Sequence, residues 1–190
     1  MNSWLNDLVE TEALLHGHFL LASGLHSDRY VLLARLVARP ARLAPWIRTL
    51  AQFARDCRPE AVVGPAVGGI ILSWAVAQAL GGEVWAAFAE KDPSGAMVLR
   101  RGFSLKPGTR IFLVEDALTT GGSLLKTEAA LQAHGGVVVG AGALVDRRPA
   151  GTTLPWPFAA VTRVEARTWA PEDCPLCAAG DHPVKPKMAL

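Results

Sequence analysis

An apolar run, an acidic pair and a hydroxyl- and glycine-rich turn follow one another in Ile111-Phe-Leu-Val-Glu-Asp-Ala-Leu-Thr-Thr-Gly-Gly-Ser123. Ile111 to Val114 reads as a buried parallel strand, and a helical pattern runs on to Ala133. A strand, a polar loop and a helix N-terminus in that order form an anion cradle, because the free N–H groups of the first helical turn point into the loop. Gly121 and Gly122 let the backbone approach a phosphate and allow positive φ. Thr119, Thr120 and Ser123 add hydroxyl donors. Glu115 and Asp116 would repel that phosphate, so they need another partner; vicinal sugar hydroxyls and a divalent metal fit. The stretch therefore suits a ribose 5-phosphate. The competing interpretation is an acidic strand end, a turn and an ordinary Ser/Thr helix cap.

This pattern resembles the phosphoribosyl pyrophosphate (PRPP) signature of type I phosphoribosyltransferases, in which four apolar residues precede two acids, two variable residues, Thr-Thr-Gly, one residue and Ser/Thr. The resemblance implies an α/β fold with a central, mostly parallel sheet flanked by helices and a small N-terminal hood. It implies PRPP contacts over Glu115, Asp116, Ala117, Leu118, Thr119, Thr120, Gly121, Gly122 and Ser123. A second loop, Gly64-Pro65-Ala66-Val67-Gly68-Gly69, also follows an apolar run and opens a helical pattern. In the resembled family that loop contacts the pyrophosphate. Taken alone it reads first as a tight strand-to-helix turn with no ligand; beside the first loop it reads as a second anion site.

The rest of the chain agrees with one α/β domain. Its 190 residues are within the single-domain range, and 51% hydrophobic residues can fill a core. A formal charge of +2 gives no argument for nucleic acid. The N-terminal decapeptide is acidic and amphipathic rather than a signal peptide. The longest apolar stretch, Ala66 to Leu80, is shorter than the ~20 residues of a membrane span. Three cysteines give no disulfide framework and point to a reducing, cytoplasmic setting. Helical spacing runs over Trp4–Leu15, and two short strands are expected between Phe19 and Leu33 around Ser23-Gly24. Next come a helix over Ala41–Cys57, a strand at Ala61–Gly64, a helix at Gly68–Leu80 and strands at Val84–Ala89 and Met97–Leu99. After the cradle strand and its helix, strands are expected at Val137–Val145 and Ala159–Val164. The alternation predicts right-handed crossovers, with the ligand beyond the carboxyl ends of the strands. A division into helix plus hood (1–38), α/β core (39–165) and Cys-containing tail (166–190) follows.

The acceptor base needs its own argument. His18-Phe-Leu-Leu-Ala-Ser-Gly-Leu-His-Ser-Asp-Arg-Tyr30 resembles the hood of orotate phosphoribosyltransferases. Tyr30 could stack on a planar pyrimidine, with backbone groups such as those of Val31 on its edge. On residues alone, a strand pair packing Phe19, Leu21 and Tyr30 explains the segment as well. Leu144-Val-Asp-Arg147 ends a strand on the expected ligand side. Arginine pairs bidentately with a carboxylate, which orotate carries and the purine bases lack. The family supplies that arginine from an Asp-Arg pair, which assigns the role to Arg147, with Thr119 also at the orotate; a solvated basic turn, Asp146-Arg-Arg-Pro149, is the alternative.

The resemblance further implies Mg²⁺ carried with PRPP beside Glu115 and Asp116, and a homodimer whose mobile loop reaches the partner's site. The corresponding stretch here is Ala89–Gly102. Lys91 matches the loop's first lysine; the later Lys and His are absent, leaving Arg100 and Arg101 as sources of positive charge. Ala22 stands where the family often has a lysine. Lys91, Arg100, Arg101 and Asp116 make up the expected catalytic set. An enzyme for another base, or a PRPP- or nucleotide-sensing regulator that has lost catalysis, are the other functions compatible with the sequence. Finally, Cys174-Pro-Leu-Cys177 has the spacing of half a zinc site, with Cys57 and His182 the only obvious further ligands; free or tail-packing thiols are the competing interpretation.

Overall fold

The computed structural model of the chain describes residues 3–21 and 23–185. Ala22 and both chain ends lie outside the described residues. In chain order the first elements are α1 (Ser3–Glu10), β1 (Leu14–Leu20), β2 (His26–Val31), α2 (Ala34–Val37) and α3 (Pro40–Asp56). Then come β3 (Ala61–Pro65), α4 (Gly68–Leu80), β4 (Trp85–Lys91), β5 (Met97–Leu99), β6 (Arg110–Leu118) and α5 (Gly122–Ala133). The chain finishes with β7 (Val137–Asp146), β8 (Phe158–Arg163), β9 (Thr168–Trp169) and α6 (Pro175–Ala178). Two compact units result, one of Met1–Ala38 with Val164–Leu190, the other of Arg39–Arg163.

The larger unit is a six-stranded sheet in the order β5-β4-β3-β6-β7-β8. All its pairs are parallel except the antiparallel edge pair β4–β5. A parallel sheet must be covered on both faces, so its strands read as continuous apolar runs rather than alternating ones. On β6, Ile111, Phe112, Leu113 and Val114 are all fully buried. Ile111 and Leu113 join Leu124 and Leu131 of α5 in one core cluster. Phe112 points the other way, its ring 6.0 Å from that of Phe53 on α3. Small residues on β7 let α3 come close. A Cβ on Gly140 would lie 2.6 Å from Cys57 Sγ, and one on Gly142 would overlap Leu50. α3 starts at Pro40, whose missing N–H costs nothing in the first turn. α4 stops at Gly81, whose φ of 75° ends the helix while its N–H reaches Ala77 O at 3.0 Å.

The smaller unit is a three-stranded sheet, β1-β2-β9. Here the sequence pattern misleads at two points. Helical spacing up to Leu15 overruns the helix, because Glu12 takes φ 55° and the Ala13 N–H folds back on Leu8 O at 2.7 Å; Leu14 then pairs with Val31 in the sheet. The segment expected as a tail returns to the hood strands: Trp169 pairs with His26, and Thr168 with Ser27. The Arg167 N–H donates to Asp28 Oδ1 at 2.9 Å, and Arg29 Nη1 to Glu165 O at 2.9 Å. Among the described residues no helix is long and apolar enough to cross a membrane.

Candidate active site

The sheet order reverses its winding between β3 and β6. From β3 the chain crosses through α4 to β4 on one side, and from β6 through α5 to β7 on the other. The helices that follow the two strands therefore lead to opposite edges of the sheet, and the carboxyl ends of β3 and β6 are where such a sheet forms its ligand crevice. The β3–β6 ladder ends at Val63↔Leu113, while β6 runs on beside β7 to Leu118↔Asp146. This corrects the expected strand end at Val114. The acidic pair belongs to the strand, beyond its last pairing with β3.

Gly64–Gly69 folds tightly at the end of β3. A Cβ on Gly64 would lie 2.7 Å from Gly69 Cα, and one on Gly69 would lie 2.7 Å from Gly64 Cα, so the turn closes only on glycine. The Ala66–Val67 peptide is cis. The Ala66 N–H donates to Ala89 O at 2.7 Å, fastening the loop to β4. Gly68, the first residue of α4, lies under the Asp116 carboxylate: a Cβ there would be 2.6 Å from Oδ2. The two sequence-predicted loops thus meet at Asp116.

Beyond Leu118, which is fully buried, Thr119 and Thr120 are exposed. Gly121 caps α5 in the left-handed region at φ 80°, and its carbonyl accepts from Leu125 N–H at 2.9 Å. A side chain there would also press on Leu154 Cδ2 at 2.9 Å. Thr120 Oγ1 faces the Gly122 N–H at 3.4 Å, and no side chain caps the helix. The start of α5 therefore presents its dipole and first-turn N–H groups to the crevice, the arrangement that binds anions.

Glu115 and Asp116 are partly buried side by side. Burial, then repulsion from Asp116, pushes the Glu115 carboxyl up to about 7, against a hydrogen bond from Ser123. Burial also raises Asp116, opposed by the Ala117 N–H on Oδ1 at 2.7 Å. Ser123 thus serves the acidic pair as well as the loop. A cation or sugar hydroxyls beside these groups would restore their ionised form.

The remaining candidates fall in distinct places. Lys91 ends β4, exposed, and Arg100 follows β5, also exposed. The turn between those strands is a closed hairpin in which Asp92 Oδ1 accepts from Ser94 N–H (2.8 Å), Ser94 Oγ (2.6 Å) and Ala96 N–H (3.0 Å). Arg101 is engaged elsewhere: its Nε and Nη2 reach the Glu90 carboxylate at 2.9 Å each. Arg147 follows β7, and its N–H donates to Leu118 O at 2.8 Å, setting it at the mouth of the cradle. Arg148 faces a different task. Its Nε and Nη2 both hold Asp146, each at 3.0 Å, and its guanidinium lies 4.4 Å from the Phe158 ring centroid. Asp146 is 7% exposed and also receives Arg163 Nη1 at 3.3 Å, an anchor that sequence reasoning left unassigned. Tyr30 and Val31 lie on β2 in the smaller unit, where Tyr30 packs on Phe19 with ring centroids 5.8 Å apart. That contact is the packing role weighed for the hood strands.

Comparison with known proteins agrees with this geometry. Residues 33–174 match the family model described as phosphoribosyl transferase domain. The chain is 46% identical over 180 residues to an orotate phosphoribosyltransferase of Carboxydothermus hydrogenoformans, covering 94% of this chain and 93% of the relative. It is 47% identical over 178 residues to the enzyme of that name from Pelotomaculum thermopropionicum, covering 93% and 92%. The crystal structure of orotate phosphoribosyltransferase from Aeropyrum pernix superimposes with a TM-score of 0.71 at 26% identity, covering 84% of this chain and 92% of that one. With a family model over most of its length and relatives of this closeness, the chain belongs to the phosphoribosyltransferase family, in its orotate branch.

Proposed function

We propose that the chain transfers the ribose 5-phosphate group of PRPP to orotate, giving orotidine 5′-monophosphate and pyrophosphate in de novo pyrimidine synthesis. The observation that carries this is the meeting of the Gly64–Gly69 loop and the Glu115–Ser123 cradle at Asp116, in a chain 46% identical to an orotate phosphoribosyltransferase. In this reading the α5 N-terminus and the hydroxyls of Thr119 and Thr120 hold the 5-phosphate. Glu115 and Asp116 hold the ribose hydroxyls, and backbone groups of Gly64 to Gly69 face the pyrophosphate. The bond from ribose C1 to the pyrophosphate oxygen breaks as the bond to an orotate ring nitrogen forms. Positive charge grows on the sugar and negative charge on the leaving group, so catalysis is positioning plus charge stabilisation. No nucleophilic side chain is needed.

Lys91 and Arg100 are the cations nearest in sequence to the β4–β5 hairpin and are assigned to the leaving charge. Arg101, bound to Glu90, serves to hold the hairpin. Arg147 is assigned to the orotate carboxylate, with Thr119 beside it. That choice is supported by Arg148 being committed to Asp146. Tyr30 and Val31 are the hood residues proposed for the base. The all-oxygen donor pair Glu115 and Asp116 fits a hard cation, which would offset the burial that raises both carboxyls. Mg²⁺ brought with PRPP would neutralise pyrophosphate charge. The proposed setting is the cytoplasm, and the proposed assembly a homodimer with shared sites. Ile71 and Trp74 on α4, with Val67 just before it, are 53%, 60% and 82% exposed and make an apolar stripe suited to a second copy.

Incubating the chain with orotate, PRPP and Mg²⁺ tests the reading. Orotate should disappear as orotidine 5′-monophosphate and pyrophosphate appear in equal amounts. A protein that binds both substrates and releases no pyrophosphate is the regulator, not the enzyme.

A further inference from the structure

The smaller unit gathers four side chains that the phosphoribosyl site does not use. His18 of β1, His26 of β2, Cys174 and Cys177 place one ligand atom each within 4.8 Å of all the others. His18 Nε2 lies 3.0 Å from His26 Nδ1, 3.4 Å from Cys174 Sγ and 3.8 Å from Cys177 Sγ. Cys177 Sγ lies 3.3 Å from His26 Nδ1. His18, His26 and Cys174 are 4%, 6% and 3% exposed.

Hydrogen bonding does not explain the convergence. The His18 Nε2 atom has one lone pair or one proton, so it serves one partner; here a ring nitrogen and two sulfurs all face it. A cation at their centre satisfies all four at once. Zinc–nitrogen bonds of about 2.0–2.1 Å and zinc–sulfur bonds of about 2.3 Å in a tetrahedron separate ligand atoms by roughly 3.4–3.8 Å. The observed spacings fall close to those edges, slightly contracted between the two nitrogens. The far ring nitrogen of His18 supplies a second indication. This Nδ1 is buried without a hydrogen-bond partner and lies 3.6 Å from Asp181 Oδ2. A carboxylate behind the distal nitrogen is the usual way a metal-bound imidazole is oriented.

We propose that His18, His26, Cys174 and Cys177 bind one structural zinc ion. The S₂N₂ donor set selects zinc among common divalent ions, and four protein ligands leave no position for a substrate. The ion joins the hood strands to a segment more than a hundred residues later in the chain. That segment otherwise rests on the two-residue strand β9, the four-residue helix α6 and single hydrogen bonds to β1 and β2. Small units with little core commonly gain their stability this way. The sequence pointed to half of this site. Cys57 and His182, the expected partners of the Cys174–Cys177 pair, are not in the cluster, and the histidines of the hood take their place.

The full chain, grown with zinc and gel-filtered, should carry one zinc per chain by elemental analysis. Cys174→Ser, Cys177→Ser and His26→Ala should each lose most of it, whereas Cys57→Ser and His182→Ala should keep it. Chelation should lower the melting temperature, with recovery on adding Zn²⁺ and not Mg²⁺. If the ligand variants are insoluble, cobalt loading of the wild-type chain decides, because tetrahedral thiolate-bound Co²⁺ has intense visible bands. Absence of metal after zinc reconstitution, retention of zinc by Cys174→Ser, octahedral cobalt bands, or a Cys174–Cys177 disulfide would each overturn the proposal, and iron in the site would overturn the metal's identity.

Discussion

Asp116 closes over Gly68: a Cβ on the glycine would sit 2.6 Å from the carboxylate Oδ2, in a backbone turn that cannot move aside because Gly64 and Gly69 are themselves in contact. This one approach joins the loop after β3 to the loop after β6 and sets the width of the crevice between them.

Gly68→Ala should therefore displace the Asp116 carboxylate while leaving both helices intact. PRPP affinity by calorimetry is expected to fall at least about tenfold, or about 1.4 kcal/mol, with the circular dichroism spectrum unchanged. Unaltered PRPP affinity in a folded Gly68→Ala chain would separate Asp116 from the site. Asp116→Asn and Gly122→Val probe the same cradle from the ribose and phosphate sides and should also abolish PRPP binding.

The acidic pair predicts a pH dependence. Folding lifts Glu115 from an ordinary value of 4.5 to about 7, so across that window the folded chain holds a proton that the unfolded chain has released. Stability supplied by this group falls as pH rises through the window and is fully lost above it. Melting temperatures of the ligand-free chain and of Glu115→Gln should diverge from pH 5 to pH 8, the variant losing less. PRPP with Mg²⁺ favours the ionised carboxylates, so binding should tighten over the same range and release protons. A parallel pH profile in the variant would contradict the assignment.

Two neighbouring arginines should behave differently. Arg147→Ala should weaken orotate by about 2–5 kcal/mol, the range for removing one partner of a desolvated charge pair, and leave PRPP and melting temperature nearly unchanged. Arg148→Ala should instead destabilise the fold. Breaking a buried pair costs about 3–5 kcal/mol, here lessened because Arg163 stays with Asp146. Thermal melts and orotate titrations of both variants give the comparison. Equal effects on the two ligands in Arg147→Ala would remove it from the base site.

If the β4–β5 hairpin serves the neighbouring subunit, catalysis is shared between chains. Mixing inactive Lys91→Ala/Arg100→Ala subunits with inactive Asp116→Asn subunits should then restore activity, since one site of each mixed dimer combines an intact cradle with an intact hairpin. No recovery despite demonstrated exchange would place the hairpin over its own subunit's site. Trp74→Glu on α4 should shift the chain towards monomer in light scattering.

Much of the larger unit was legible because its elements are marked locally. Gly68–Leu80 begins at a glycine pair and stops at Gly81, and the observed helix has those bounds. The cradle motif could be read because loop chemistry is contiguous in sequence. What escaped depends on distant partners. β6 continues past Val114 because β7 pairs with it out to Asp146, which no pattern within the strand announces. β9 is two residues long and exists only through His26 and Ser27. The histidines facing Cys174 and Cys177 come from the other end of the chain, so spacing near the cysteines pointed to His182 instead. Arg148 is set apart from Arg147 by its hold on Asp146 and its place over Phe158, contacts that a basic turn does not reveal.

The most direct test of the account is pyrophosphate release across a panel of acceptors, with PRPP and Mg²⁺ present and orotate, uracil, adenine and hypoxanthine supplied one at a time. The account predicts turnover with orotate, little with uracil, which lacks the carboxylate meant for Arg147, and none with the purines. Turnover of adenine or hypoxanthine above orotate, or release that ignores the acceptor, would contradict it.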